Sequence, residues 1–281
     1  MIKEREMVGH DAIFLMGHGT ASEQGQNEFL ALVEQYRQHM ESRATVGGGF
    51  IELATPEMTT AMDELVATRP QRITVVPLVL LPAGHMKDDG PRLVSHARST
   101  SPSQTVVTYT SELGLLPEII SLVQSRRDEA LKKLEVPAST RSHATLLVGR
   151  GSTDADANSD LFKAARLVSE TSDHGLVLPA FVSLAQPSVT DGLETLRLLG
   201  ARTIAVVPYF LFHGVLVDRI AAQAQQWSED SGIEVTTTSA FGPDARLISA
   251  IDLRIQQAHE GSVMSSCDLC FYRDSALTIT K

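Results

Sequence analysis

The chain of 281 residues is 43% hydrophobic and 21% charged, a composition typical of a folded globular protein of about two domains. Its 24 Lys and Arg residues against 34 Asp and Glu residues give a net charge of −10, which argues against binding to nucleic acid or to an anionic membrane. No apolar run approaches the roughly 18 residues of a membrane-spanning helix, and the run at 12–16 is too short for a signal peptide. With two cysteines and no disulfide framework, we expect a cytoplasmic protein.

Short apolar runs alternate with longer amphipathic segments along the first half of the chain. The predicted elements are a strand at 12–16, a helix at 23–41, a strand at 48–53, a helix at 56–66, a strand at 72–81, a helix at 91–99, a strand at 105–109 and a helix at 117–134. Because the strands are continuous apolar runs, they are typical of a parallel sheet that helices cover on both faces. The predicted fold class is α/β.

The second half of the chain repeats the first. Three segments match in the same order: Leu15–Thr20 with Leu147–Ser152, Phe50–Pro56 with Phe181–Pro187, and Arg72–Leu78 with Arg202–Tyr209. A period of about 131 residues indicates a duplication, so we predict two tandem domains that share one fold. We place the N-terminal domain, with the active site, at 1–138, a degenerate C-terminal repeat at 139–260 and a tail at 261–281.

The two halves differ in chemistry at three matched positions. They are His18 and Arg150, Glu52 and Ser183, and His85 and Leu216, with the first-half residue named first. The first-half residues follow the carboxyl ends of predicted strands, where open α/β sheets bind their ligands. Two imidazoles and a carboxylate suit a divalent metal such as cobalt, iron, nickel or zinc, and they also suit proton transfer. The alternative is structural: hydrogen-bonding histidines in loops, and a Glu52 that caps a helix.

Four segments stand out as motifs. They are Gly17-His18-Gly19-Thr20, Phe50–Pro56, Val75–Asp89 and Val206–Ile220. Together they resemble the CbiX/SirB family of sirohydrochlorin chelatases in its long, two-domain form, over nearly the whole chain from Ala12 to about Ala258. The resemblance implies a metal chelatase, a lyase that inserts Co²⁺, or Fe²⁺ in the siroheme branch, into sirohydrochlorin for cobalamin or siroheme biosynthesis. It implies His18 and His85 as the metal-binding and catalytic pair, and one of them or Glu52 is the predicted acceptor of the released pyrrole protons.

Sirohydrochlorin is a polycarboxylate, so an acidic protein must bind it through local features. We predict that Lys87, Arg92 and Arg150, together with backbone N–H groups at helix starts, bind its carboxylates. The alternative for each of these residues is an ordinary surface charge. Asp88 and Asp89 are predicted to N-cap the helix that follows them, or else to guide the cation inward.

The tail contains Cys267 and Cys270 in a Cys-x-x-Cys arrangement. Such a pair binds zinc or part of an iron–sulfur cluster, but a cluster ordinarily takes four protein ligands. Either two chains share one cluster, which implies a homodimer, or other ligands complete it. Some longer members of the family carry such a motif with an iron–sulfur centre. The alternative is a redox-sensitive tail without a cluster.

Co²⁺ is the favoured metal because the two-domain form with a Cys-x-x-Cys tail resembles the cobalt enzymes. Two alternatives stay open: an Fe²⁺ chelatase for siroheme, and a noncatalytic carrier of tetrapyrrole or metal whose histidines bind without turnover. The types of ligand alone do not separate Co²⁺ from Fe²⁺.

Overall fold

A computed structural model describes residues 11–134, 142–171 and 175–261, except for the side chain of His85. The first series of elements is β1 (Asp11–Gly17), α1 (Glu23–Met40), β2 (Ala44–Phe50), α2 (Met58–Ala67), β3 (Arg72–Pro77), α3 (Gly84–Thr100), β4 (Val106–Tyr109) and α4 (Pro117–Lys133). The second series is β5 (His143–Gly149), α5 (Ala155–Glu170), β6 (Leu176–Phe181), α6 (Val189–Leu198), β7 (Thr203–Pro208), α7 (Val215–Ser231), β8 (Glu234–Thr237) and α8 (Ala245–His259). Within the described ranges, none of the helices has the length and apolarity that a membrane span requires.

Each series of four strands forms one parallel sheet. The strand order is β2-β1-β3-β4 in the first sheet and β6-β5-β7-β8 in the second, and every pairing is parallel. β1 and β5 are buried along their whole length, as expected of strands covered on both faces. The predicted α/β fold class and its duplication are confirmed.

Alternate residues of the central strands form the core of each unit, because successive side chains of a strand point to opposite faces. In the first sheet, Phe14 of β1 packs in one cluster with Met62 of α2 and Leu93 of α3. In the second sheet, Leu146 of β5 occupies the corresponding cluster with Leu193 of α6. This burial fixes the strands, so the loops at their carboxyl ends are attached to a rigid platform.

The chain divides into two compact units that differ from the two sequence repeats. Of the described residues, the first unit contains 11–113 and 247–261, and the second contains those between Gly114 and Arg246. The helix α4, which ends the first repeat, therefore belongs to the second unit, and most of α8 belongs to the first. The predicted boundary at 138/139 lies outside the described residues and stays a prediction for the sequence repeat.

Packing within each unit explains these assignments. In the first unit, Asp252 of α8 accepts a hydrogen bond from the hydroxyl of Tyr36 at 2.7 Å and pairs with His39 at 2.8 Å. In the second unit, Leu131 and Leu134 at the end of α4 are buried together with Ala205 of β7. The last helix of each repeat thus completes the unit to which it packs, whatever its place in the chain.

Candidate active site

The loops that follow β1, β2 and β3 start side by side at the carboxyl edge of the first sheet. Gly17 pairs with Phe50 at the ends of β1 and β2, and Met16 pairs with Pro77 at the end of β3. The pairing continues beyond β2, because the N–H of Glu52 donates to the carbonyl of His18 at 3.1 Å. The backbone therefore holds the His18 and Glu52 loops together at this edge.

The close approach of these two loops requires glycine at position 19. Gly19 has a φ of 99°, and a Cβ there would lie 1.7 Å from the carbonyl oxygen of Glu52. The same arrangement occurs in the second unit, where Gly151 has a φ of 85° and its Cβ would lie 1.8 Å from the carbonyl oxygen of Ser183. Only glycine tolerates this combination of conformation and contact. The second glycine of the Gly-x-Gly pattern in both repeats is thus explained by backbone geometry.

The imidazole of His18 faces the carboxylate of Glu52. The Nε2 atom of His18 lies 3.8 Å from Oε1 of Glu52, and Nδ1 lies 3.2 Å from the carbonyl oxygen of Gly19. Both neighbours of the ring are acceptors, and the neutral tautomer with its proton on Nδ1 leaves the Nε2 lone pair for a metal ion. Two ligands about 2.1 Å from one ion lie about 3.0–3.5 Å apart, so a shift of a few tenths of an ångström would let both atoms bind one cation.

Glu52 lies beyond the end of its strand and is partly exposed. β2 ends at Phe50, and the side chains of Glu52 and His18 keep 46% and 31% of their exposure, so a hydrated ion can reach both. Glu52 does not cap α2, because that helix is capped by the side chain of Glu57, which accepts from the N–H groups of Thr59 and Thr60. The structural alternative for Glu52 therefore fails at this helix.

His85 lies in the first turn of α3, because this helix begins at Gly84 instead of near Pro91. The late predicted start was wrong because Pro91 was taken for the first turn, and it is an internal residue of the helix. For the same reason the predicted N-cap role of Asp88 and Asp89 is wrong: the N-cap residue is Ala83. The side chain of His85 lies outside the description, so its place beside His18 stays a prediction.

A match to a protein-family model identifies the family of this chain. The family model of CbiX matches residues 12–130 and again 144–258, which together cover most of the chain. The chain belongs to the CbiX family. This confirms the resemblance that the four sequence motifs carried, and the two matched ranges correspond to the two repeats.

Curated relatives and solved structures of the family agree with this assignment. The sirohydrochlorin cobaltochelatase of Priestia megaterium is 32% identical over 271 residues, which cover 95% of this chain and 87% of the relative. The sirohydrochlorin ferrochelatase of Bacillus subtilis is 31% identical over 215 residues, which cover 76% of this chain and 79% of the relative. The structure of SirB from Bacillus subtilis with Fe³⁺ is 28% identical, with a TM-score of 0.74 over 90% of this chain and 98% of that one. A cobalt complex of SirB from Bacillus subtilis subspecies spizizenii is 26% identical, with a TM-score of 0.73 over 90% of this chain and 98% of that one.

The basic residues predicted to bind substrate are distributed over both units of this CbiX chain. Lys87 and Arg92 lie on α3, whereas Arg150 is exposed just after β5 in the second unit. Arg92 is paired with Asp88 one turn earlier, with Nε 3.0 Å from Oδ1, which offsets its positive charge. The roles of Lys87, Arg92 and Arg150 in substrate binding stay predictions. The predicted cluster ligands Cys267 and Cys270 lie outside the described residues.

The fourth strands of the two units also differ, and the comparison of sequence repeats missed this. Tyr109 of β4 and Thr237 of β8 pair with matched valines of β3 and β7, so they are equivalent. Glu112, which is buried just after β4, is likewise equivalent to Ala240. The connection from α3 to β4 is longer than the one from α7 to β8. A constant sequence offset between the repeats therefore aligns the wrong residues after α3. The strand register is needed to match Tyr109 with Thr237 and Glu112 with Ala240.

Proposed function

We propose that the protein is a sirohydrochlorin chelatase that inserts a divalent metal ion into sirohydrochlorin for cobalamin or siroheme biosynthesis. Co²⁺ is the favoured metal and Fe²⁺ the alternative. One observation carries the proposal: an imidazole nitrogen and a carboxylate oxygen face each other 3.8 Å apart at the carboxyl edge of the first sheet. The second unit has the same backbone there, with Arg150 and Ser183 in place of these ligands. Co²⁺ is preferred because the cobaltochelatase relative matches 95% of the chain.

Capture of the metal substrate is the first task of this site. The Nε2 lone pair of His18 and the carboxylate of Glu52 supply one nitrogen and one oxygen ligand, a combination that suits borderline divalent metals. His85, in the first turn of α3, is proposed as the second imidazole. A partly exposed pair binds an ion that keeps some of its water. The ion can then exchange its protein ligands one at a time for pyrrole nitrogens.

Removal of two pyrrole protons is the second task. The macrocycle loses two N–H protons as the dication enters, so the charge balances when two protons reach bases in the protein or water. The carboxylate of Glu52 accepts one of them, and Nε2 of His18 can accept a proton once the metal has left it. The two residues thus exchange a metal ion for protons at the same atoms.

The carboxylates of the tetrapyrrole need donors and positive charge close to the metal. The N-cap residue of α3, Ala83, makes no side-chain cap hydrogen bond. The first N–H groups of this helix are therefore suited to bind anionic groups. Lys87 adds a positive charge to this turn and Arg92 adds one a turn later, and Arg150 is the carboxylate-binding residue proposed for the second unit.

A single assay tests the proposal. The purified protein is mixed with sirohydrochlorin and Co²⁺, and the visible spectrum of the tetrapyrrole is followed with time. A rate well above that of the same mixture without protein supports a chelatase, and parallel runs with Fe²⁺ and Ni²⁺ rank the metals. A noncatalytic carrier would bind sirohydrochlorin or metal without raising the insertion rate, and that result would refute the proposal.

The Cys267–Cys270 pair and the homodimer that a shared cluster implies form a separate proposal. Iron and labile sulfide analysis of anaerobically purified protein tests it, and the oligomeric state of that preparation can be measured by light scattering. A colourless protein without iron and sulfide would contradict it. The two thiols agree with a reducing, cytoplasmic setting, which is part of the same proposal.

A further inference from the structure

About one turn after His85, the helix α3 contains two residues that destabilise a helix, and the matched helix α7 of the second unit has neither of them. Gly90 and Pro91 are consecutive internal residues of α3, whereas the matched positions of α7 are Ala221 and Ala222. Glycine and proline are the two residues least favourable to a helix, and proline also removes a backbone hydrogen bond. The first turns of α3 are therefore less stable by themselves than those of α7.

A tyrosine of β4 compensates for this weakness. The hydroxyl of Tyr109 donates a hydrogen bond to the carbonyl oxygen of Met86 at 2.9 Å, next to His85. The ring passes so close to the helix that a Cβ on Gly90 would lie 2.1 Å from the hydroxyl oxygen. Glycine at position 90 therefore makes the contact with Tyr109 possible.

The glycine and the tyrosine of this contact occur together in the first unit, and both are replaced in the second. The first unit has Gly90 and Tyr109, whereas the second has Ala221 and Thr237 at the matched positions. Each combination is sterically consistent, because an alanine opposite the longer tyrosine would clash. The unit that keeps the histidine at the start of this helix is thus the unit that keeps the glycine and the tyrosine.

The surroundings of Tyr109 keep its hydroxyl a donor. Burial raises the pKa of Tyr109 above its ordinary value, and the negative charges of Glu112 and Asp89 raise the pKa further. The hydroxyl therefore stays protonated at any pH at which the protein would work. The carbonyl of Met86 can only accept, so the direction of the hydrogen bond is fixed.

We propose that Tyr109 is a positioning residue for metal insertion: its hydroxyl holds the first turn of α3, and with it the backbone of His85, in a fixed place against β4. This inference rests on the proposed function. A metal ion that passes from protein ligands to a macrocycle needs those ligands at a set spacing, and a displacement of about 1 Å can lower a rate by about 100-fold. Tyr109 acts through the helix and does not touch the metal.

The test compares two tyrosines that each donate to a backbone carbonyl. Tyr109→Phe removes only the hydroxyl beside the His85 turn. The control, Tyr209→Phe, removes a buried hydroxyl that donates to the carbonyl of Gly114 at 2.8 Å in the second unit. We expect Tyr109→Phe to lower kcat for Co²⁺ insertion by about tenfold or more, to leave KM for sirohydrochlorin nearly unchanged, and to weaken Co²⁺ binding. Tyr209→Phe should change none of these. Wild-type kcat and Co²⁺ affinity in Tyr109→Phe, or the same losses in both variants, would overturn the inference.

A second pair of variants separates positioning from folding. Gly90→Ala should lower the melting temperature, because the new methyl group clashes with Tyr109. The double variant Gly90→Ala with Tyr109→Thr has the combination found in the second unit, so it should regain the melting temperature but not kcat. Regained kcat in the double variant would contradict a positioning role.

Failure of the inference and failure of the proposed function are distinguishable. Co²⁺ binding is measured by titration without tetrapyrrole, so it reports on the histidine site even if the wild-type protein inserts no metal. An inactive wild type would refute the chelatase. An active wild type with an equally active Tyr109→Phe variant would refute only the role of Tyr109.

Discussion

The two units share one scaffold and differ in what they attach to it. Both have the strand order with the first strand central, and both bring a left-handed glycine, Gly19 or Gly151, against the carbonyl that follows the neighbouring strand. The first unit places His18 and Glu52 on this frame, and the second places Arg150 and Ser183 there. The two copies thus share this backbone geometry, whereas the side chains proposed to bind metal lie in the first. The fold supports the chemistry, but the side chains at the strand ends decide it.

The largest expected effect comes from the histidine at the start of α3. His85→Ala should abolish metal insertion, because the proposed site loses one of its two imidazoles, while the melting temperature stays close to that of the wild type. The matched variant in the second unit, Leu216→Ala, should retain most of the activity. Spectroscopic insertion assays on both variants check this. Near-normal turnover in His85→Ala would remove the residue from the site.

The carboxylate of Glu52 should matter less than the imidazole. Glu52→Gln keeps the shape of the side chain but removes the charge and the proton acceptor, so we expect insertion to slow by about 10- to 100-fold. The matched variant Ser183→Ala should insert metal at the wild-type rate. Steady-state kinetics with Co²⁺ as the varied substrate measures both. An unchanged rate in Glu52→Gln would assign the proton transfer to the histidines or to water.

The two left-handed glycines should respond alike in stability and differently in activity. Gly19→Ala and Gly151→Ala each force a Cβ to within 2 Å of a backbone carbonyl oxygen, so each should cost at least about 2 kcal/mol of unfolding free energy. Urea denaturation measures this loss. Among molecules that stay folded, Gly19→Ala should also insert metal more slowly, because it separates the His18 and Glu52 loops. Equal activity in the two variants would show that this spacing does not matter.

The sequence predicts the fold better than it predicts the details of the site. Alternating apolar runs and the repeat are enough for the α/β class, for the duplication and for the strand ends that carry His18 and Glu52. The start of α3 was missed because Pro91 is typical of a first turn, whereas here it is an internal residue of a helix that begins at Gly84 and accepts a hydrogen bond from Tyr109 at Met86. The sequence repeat also does not show that α4 packs in the second compact unit and α8 in the first, because their packing involves contacts far apart in the chain. Both features depend on tertiary contacts, which local sequence does not encode.

The smallest expected effect concerns the contacts of α8 in the first unit, which differ from those of α4 in the second unit. In the first unit, Arg72 donates to Nδ1 of His259 at 3.3 Å, so Nε2 carries the proton and donates to Thr74 at 3.0 Å. In the second unit, the position matched to Thr74 is Ala205, which is buried with leucines of α4. One attachment is polar and titratable, and the other is apolar.

This difference predicts a pH dependence confined to the first unit. Burial and then the charge of Arg72 lower the pKa of His259, and the nearby Asp11 opposes this shift. Because the folded protein binds the proton less tightly than the unfolded chain does, stability is complete above the ordinary value of 6.5. It falls as the pH drops from there toward the lowered pKa. The double variant His259→Leu with Thr74→Ala copies the second unit and should lose this small decline. Urea denaturation of both proteins between pH 7.5 and about 5 measures it. An equal decline in the variant would show that other groups cause it, and the polar attachment of α8 would then have no part in the acid sensitivity of the fold.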